Sequence, residues 1–410
     1  MNRWFPTIIC LMLTWACSSV YAQVSETDTL DLTTNKGAIF NRPFVLQGQL
    51  GKSSTAIGGY VEGNTNYFST EGVSDGFSME LRRFNIFLYA SVADFIKFIS
   101  ELEFEHGTEE IALETALLDF ELDPAFVFRA GILLPPVGYF NQNHDGPKWE
   151  FIDRPLVSTT IIPATLSEVG FGFHGDIAMN KPLIPGMQLI TYEVYLVNGL
   201  QNGVVNNATG RTDLSQGKAE ERFAEDNNGS PSITGRVGLR FKQTGEVGAS
   251  FYGGRYNTYQ EDGLTIDEKR SLYLWALDYN LTIKKLQILG EWAWTHVNVP
   301  VSLGPDFGDK QWGLHTDLIY PIREGSLWKW QRTTVNASLR TEFVDYNVGT
   351  FEETGTNKYH QIWSLVPGIS LRFGTNTVLK ANFRYQWERD LLGNPTTRTV
   401  GYQFGFASYF

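Results

Sequence analysis

The sequence predicts an all-β fold, a 16-stranded antiparallel transmembrane β-barrel with short periplasmic turns and long external loops. Four observations lead to this prediction. Apolar and polar side chains alternate along many segments of about 10 to 15 residues, and aromatic residues make up 14% of the chain. Beyond the N-terminal segment there is no run of about 18 apolar residues, the length that a transmembrane helix needs. Short and long connections between these segments follow one another along the chain, as in barrels that cross an outer membrane.

Residues 1–22 are predicted to be a secretory signal peptide. Arg3 supplies the basic start, the segment 5–16 is mostly apolar, and the residues before the cleavage site at Ala22 fit the usual small-residue pattern. We therefore exclude this segment from the fold.

Both cysteines, Cys10 and Cys17, lie in the signal segment. Cys17 leaves a lipoprotein as an alternative, but Trp15 stands where such a signal usually has a small residue. The mature chain has no cysteine and therefore no disulfide. We interpret 23–55 as an N-terminal periplasmic segment and 56–410 as the barrel.

Alternation with a period of two is clearest where Phe84, Ile86 and Leu88 share one face and Arg83 and Asn85 share the other. Successive strand residues point to opposite faces, so one face meets lipid and the other meets water. The sixteen predicted strands span residues 56–68, 77–92, 95–107, 111–122, 124–133, 167–179, 187–199, 231–242, 245–257, 270–283, 286–299, 310–322, 332–346, 359–374, 376–389 and 398–410.

The connections differ between the two ends of the predicted barrel. Those after odd strands include long segments at 134–166, 200–230 and 258–269. Those after even strands are mostly short, with longer ones near 180–186 and 323–331. An even number of strands places both ends of the barrel on the periplasmic side.

The C-terminal strand is aromatic on one face. Tyr402, Phe404, Phe406 and the terminal Phe410 share that face, and Ser408 interrupts it. The assembly machinery for outer-membrane barrels recognises a last strand of this kind, so we expect it to be a partner. A terminal strand of a soluble barrel is the alternative.

Several functional classes are disfavoured by composition. The net charge of −12 with mixed signs argues against nucleic-acid binding. The six histidines show neither catalytic spacing nor a zinc motif, so we predict no catalytic residue, no metal site and no cofactor. Carboxylates in the segment 200–230 are interpreted as solvated, with a calcium site as the alternative.

The segment from about Leu81 to Asp176 resembles the phosphate-selective porins O and P family. The resemblance rests on ELRRFNIFLYASVADFIKFISELEFEHG, ALLDFELDPAFVFRAGILLPPVGYF and FIDRPLVSTTIIPATLSEVGFGFHGD. It implies a sixteen-stranded, usually trimeric channel that passes anions by passive diffusion. Family members often carry a basic residue at the G-x-x-x-x-P corner, and the corner at 131–136 has none. Phosphate selectivity is therefore not carried over.

The expected function is an outer-membrane porin of a Gram-negative bacterium, a channel for small hydrophilic solutes that include anions such as phosphate. The expected partners are membrane lipid, these solutes and two further copies of the chain in a homotrimer. A channel specific for sugars or peptides is the main alternative, and an outer-membrane barrel enzyme is a weaker one.

The loop at 134–166 is the third external loop, which folds inward in sixteen-stranded porins and narrows the pore. We expect it to do so here; an ordinary solvated loop is the alternative. Acidic residues are concentrated in the second to fourth strands, and basic residues in the eighth and the thirteenth to fifteenth. The candidate pore-lining and constriction residues are Arg83, Lys97, Arg129, His144, Asp145, Lys148, Glu150, Asp153, Arg154, Arg340, Arg372, Lys380 and Arg384.

Overall fold

The computed structural model describes residues 42, 55–107, 109–219 and 222–410. Within them, sixteen antiparallel strands form a closed barrel in which each strand pairs with its neighbours along the chain and the last pairs with the first. The predicted fold class is confirmed. The predicted signal peptide lies outside the described residues, as does the predicted periplasmic segment except for Arg42 and Thr55, so both stay predictions.

The barrel strands are β1 (Thr55–Thr70), β2 (Phe77–Ala93), β3 (Ile96–Glu105), β4 (Glu110–Asp123), β5 (Phe126–Leu133), β6 (Glu168–Ala178), β7 (Met187–Val197), β8 (Ser232–Phe241), β9 (Gly245–Arg255), β10 (Ser271–Ile283), β11 (Leu286–Val297), β12 (Lys310–Leu327), β13 (Trp330–Asp345), β14 (Gln361–Phe373), β15 (Thr377–Arg389) and β16 (Thr397–Tyr409). Connecting segments contain a small hairpin (Gln260–Glu261 with Leu264–Thr265), the helix α1 (Leu156–Thr160), and the 3₁₀ turns Gly146–Lys148, Asn202–Val204 and Leu214–Gly217. Among the described residues, no helix is long and apolar enough to cross a membrane.

One predicted connection is wrong. The alternation pattern predicts that the twelfth strand ends at 322 and that 323–331 form a longer turn, but β12 continues to Leu327 and β13 begins at Trp330. Pro321 lies within β12 and cannot donate to the ladder. The register shifts at Pro321/Arg323 and again at Gly325/Leu327, and these irregularities let the hairpin continue past the proline.

The outer face of the barrel is apolar. Phe171, Trp275, Ile369 and Phe404 are about half exposed, at 52%, 49%, 48% and 54%. An apolar surface that encircles a barrel is stable in lipid and unstable in water. The alternation predicted from the sequence therefore separates a lipid-facing surface from a polar interior.

The segment between β5 and β6, here called the inner loop (134–167), lies inside the barrel and supplies much of its apolar core. Val157 in α1 and the following Ile161 and Ile162 are fully buried. They belong to one cluster with wall residues that include Tyr195 and Ala276. Burial of each such side chain contributes roughly 1.5–3 kcal/mol, which favours the inward position of the loop.

Candidate functional site

The inner loop is bound to the barrel wall through its backbone. Cationic side chains of β13, β14 and β15 donate to loop carbonyl oxygens. The pairs are Arg340 with Asp153 at 2.7 Å, Lys380 with Gly146 at 2.9 Å and Arg372 with Pro147 at 2.9 Å. Charge-assisted hydrogen bonds of this kind are stronger than neutral ones, so the three strands hold the loop at fixed points.

Loop carboxylates face the same basic strands. Glu150 pairs with Arg372, and Asp153 lies 3.5 Å from Arg384, whose guanidinium also binds Glu342 at 3.0 Å. The pKa of Asp153 is lowered: burial opposes this change, but Arg384 and neighbouring cations outweigh it. The basic residues of β13 to β15 are therefore largely engaged in holding the loop.

On the opposite side the loop presents cations to the acidic strands. The imidazole Nε2 of His144 lies 3.0 Å from Glu114 and 3.6 Å from Glu101. Burial alone would lower the pKa of His144, but Glu114 and Glu101 outweigh it and raise the pKa to about 10. His144 is therefore a cation at neutral pH.

The same three side chains have the composition of a metal site. One ligand atom from each of Glu101, Glu114 and His144 lies within 4.8 Å of the others. Their charges are already balanced locally, because protonated His144 pairs with Glu114, and Glu101 binds the guanidinium of Arg42 at 2.7 Å. The cluster is complete as an ion-pair network without a metal.

A narrow polar space remains between the inner loop and the wall. Arg154 projects into it, and its Nε and Nη2 atoms have no hydrogen-bond partner among the described residues. Arg154 also interacts electrostatically with Glu103, Glu105 and Glu114. The residues that line this space are Glu62, Arg83, Phe140, His144, Gly146, Trp149, Phe151, Ile152, Asp153, Arg154 and Lys380. It is the candidate constriction.

Two β-bulges add charges to the interior that strict alternation misses. Glu62 pairs with Arg83 and Gly63 with Leu81, which leaves Arg82 as an extra residue of β2. Arg82 turns inward and binds the Asp153 carboxylate at 3.0 Å.

Glu114 is the extra residue of the second bulge, in β4. Glu101 pairs with Thr115 and Leu102 with Leu113, so that Glu114 and Thr115 are both buried in the interior. A bulge places two successive residues on the same side of the sheet, and a count by parity cannot anticipate it.

Two predicted residues have their closest partners in the barrel wall and its turns. Lys97 lies beside the turn between β2 and β3, where its amine donates to Ser91 at 2.8 Å. Arg129 is paired within the wall to Asp119 at 2.7 Å. Arg129 also donates to the Tyr195 hydroxyl at 3.4 Å, and Tyr195 packs in one cluster with the inner loop.

The remaining predicted residues form ion pairs in the barrel interior. Arg83, which lines the narrow space, lies 2.6 Å from Glu105. Asp145 and Lys148 form a pair at 3.3 Å within the loop. The part that any of the thirteen candidates plays in permeation stays a prediction.

Comparison with known proteins supports the fold more strongly than it supports a family. No family model matches the sequence. An uncharacterised protein of Aquifex aeolicus (strain VF5) is 32% identical over 233 residues, which are 55% of this chain and 49% of that protein. The chain thus spans about half the length of this curated relative.

Solved structures similar to this chain are outer-membrane barrels. OmpT of Vibrio cholerae, solved in a trimer form, has a TM-score of 0.52 at 12% identity over 87% of this chain and 100% of that chain. An anion-selective porin from Comamonas acidovorans gives 0.53 at 11% identity, covering 87% and 99%. OmpF of Salmonella typhi, in complex with daunomycin, gives 0.52 at 11%, covering 87% and 98%. The chain has a porin-like fold, and this fold with its apolar outer face places it in the outer membrane of a Gram-negative bacterium.

Proposed function

We propose that this chain is a porin, a water-filled channel through which small hydrophilic solutes cross the outer membrane by diffusion. The observation that carries the proposal is the inner loop, which enters the barrel and leaves a charged narrow space bounded by Arg154 on the loop and Glu62 on the wall. A lumen narrowed by a loop with fixed charges selects solutes by size and charge. This arrangement favours a channel over an enzyme.

We further propose a modest preference for anions. Arg154 lines the narrow space, and two of its guanidinium nitrogens have no hydrogen-bond partner among the described residues, while Nη1 donates to Thr165 at 3.1 Å. Arg340 and Arg372, in contrast, are engaged with loop carbonyls. Neighbouring carboxylates such as Glu62 limit the preference. The quoted stretches between Leu81 and Asp176 support membership of the phosphate-selective porins O and P family, but the corner without a basic residue does not favour phosphate over other anions.

A homotrimer is the assembly that we propose. Support comes from the trimer form recorded for the similar Vibrio cholerae barrel and from the family resemblance. Cross-linking of the protein in outer-membrane vesicles tests this state, and a product no larger than the monomer contradicts it.

The channel function is tested in planar bilayers. The purified full-length chain should produce stepwise conductance, with a reversal potential in a salt gradient that indicates a mild anion preference. Absence of conductance contradicts the porin proposal, and a clear cation preference contradicts the proposed selectivity alone. Liposome swelling with sugars and peptides distinguishes a general pore from the solute-specific alternative, which predicts one solute far faster than others of its size.

A further inference from the structure

Arg42 precedes the first strand in sequence, yet its side chain is completely buried in the barrel interior. Its Nε and Nη2 atoms donate to the two carboxylate oxygens of Asp145 at 3.0 and 2.9 Å. Nη2 also donates to Glu101 at 2.7 Å. The guanidinium carbon lies 3.6 Å from the centroid of the Phe87 ring. One guanidinium thus engages two carboxylates and an aromatic face.

The carboxylates that bind Arg42 are oriented by other groups. The Tyr409 hydroxyl donates to Asp145 at 2.6 Å, and the Asn85 amide donates to Glu101 at 2.7 Å. Asp145 and Glu101 are both fully buried. Tyr409 and Asn85 belong to strands of the wall, so each carboxylate has a partner on the wall besides Arg42.

The chemistry of this pocket is specific for a planar cation. A guanidinium can bind one carboxylate through two hydrogen bonds, reach a second carboxylate on the same edge and place its flat face against an aromatic ring. An ammonium is a compact point charge and fits this arrangement less well. Two buried carboxylates also require cations close by, because an uncompensated buried charge is strongly unfavourable. Besides Arg42, Lys148 lies 3.3 Å from Asp145 and His144 lies 3.6 Å from Glu101. Arg42 is nevertheless a cation that donates hydrogen bonds to both carboxylates of the pocket.

We propose that Glu101, Asp145 and Phe87 form a guanidinium-binding site in the lumen, which Arg42 occupies as a ligand tethered to the same chain. Free solutes that carry a guanidinium group, such as arginine, compete for this site. This site adds a class of ligand to the proposed channel. It rests on the proposed channel function only because a free solute reaches the site through the channel.

The test is a binding measurement on the full-length protein in detergent, with L-arginine as the probe. Removal of the tethered competitor in Arg42→Ala should strengthen arginine binding at least about tenfold over wild type, because a tethered group competes at an effective concentration in the mM range. L-lysine should bind at least about tenfold more weakly than arginine to the same variant. Equal arginine binding by wild type and variant, or none by either, overturns the proposal.

Two further variants test whether arginine binds at the proposed site. Arg42→Ala combined with Asp145→Asn should lose the gained arginine binding; if binding persists, the site lies elsewhere. Arg42→Gln replaces Arg42→Ala if the latter does not fold, judged by circular dichroism, and the same gain is expected. Bilayer conductance of the wild-type protein is recorded separately. Arginine binding without conductance contradicts the channel alone, and conductance without the predicted binding gain contradicts only this inference.

Discussion

The basic side of the lumen, on β13 to β15, and the acidic side, on β2 to β4, use their charges differently. On the basic side, the cations are engaged with loop carbonyls and with nearby carboxylates, as Arg340 is with Asp153 and Asp317. On the acidic side, carboxylates are numerous and attract cations from other segments, namely His144 from the loop and Arg42 from before the barrel. One side therefore holds the inner loop through its cations, and the other side binds cations of the loop and of the segment before the barrel.

The largest expected effect is on the basic side. Arg340→Ala should lower the free energy of unfolding by about 3–5 kcal/mol, since it leaves the fully buried Asp317 without its cation. Urea unfolding in detergent, followed by tryptophan fluorescence, measures this change.

The control for Arg340 is Lys285→Ala, which removes an ion pair with Glu324 that is exposed to solvent and should leave stability unchanged. Similar losses for both substitutions would show that the buried pair has no special part in holding the structure.

A smaller effect is expected where the loop faces the acidic side. Arg154→Gln removes a cation with unpaired nitrogens from the narrow space and should lower the anion-to-cation permeability ratio several-fold. Reversal potentials in planar bilayers measure the ratio.

Lys97→Gln is the matched control for Arg154, because it removes one cation of the interior beside the turn at Ser91 and away from the inner loop. We expect no change in the ratio. If Lys97→Gln has the larger effect, the constriction lies elsewhere.

The smallest effect is expected with pH. The pKa of His144 in the folded protein, about 10, is above its ordinary value near 6.5. Its pairing with Glu114 and Glu101 therefore stabilises the docked loop fully below about pH 6.5, and this stabilisation is lost as the pH rises through about 10. Because the loop becomes less firmly held as His144 loses its proton, open-channel current noise should rise between about pH 8 and 10.5.

His144→Gln provides the control for the pH experiment, because a neutral amide at that position has no proton to lose. Its noise should be already high and should not change across this range. A variant that retains the wild-type pH response would assign the titration to another group.

Much of the fold could be predicted from the alternation of apolar and polar residues. The charged residues of the interior could be predicted only in part. Period-two parity correctly directed Arg83 and Asp119 inward and Phe84 outward. It missed Arg82 and Glu114, because each is the extra residue of a bulge. A bulge depends on how two strands pair, which alternation within one strand does not record.

The position of Arg42 was beyond the reach of sequence reasoning for a different reason. Its partner Asp145 is 103 positions away, and the surrounding residues show no strand periodicity. Likewise, the inner loop could be recognised by its length, but its binding sites on β13 to β15 arise only when the barrel closes. Local patterns determine elements, whereas the site depends on contacts between distant ones.

The bulges at Arg82 and Glu114 have a consequence for how such a barrel can evolve. An insertion within a strand normally reverses the side of every residue that follows and would turn charges toward lipid. A bulge absorbs the insertion locally, so later residues keep their sides and the lumen gains one side chain. The insertion of one codon thus offers a route to a new charge in the barrel interior that requires no change on the lipid-facing surface.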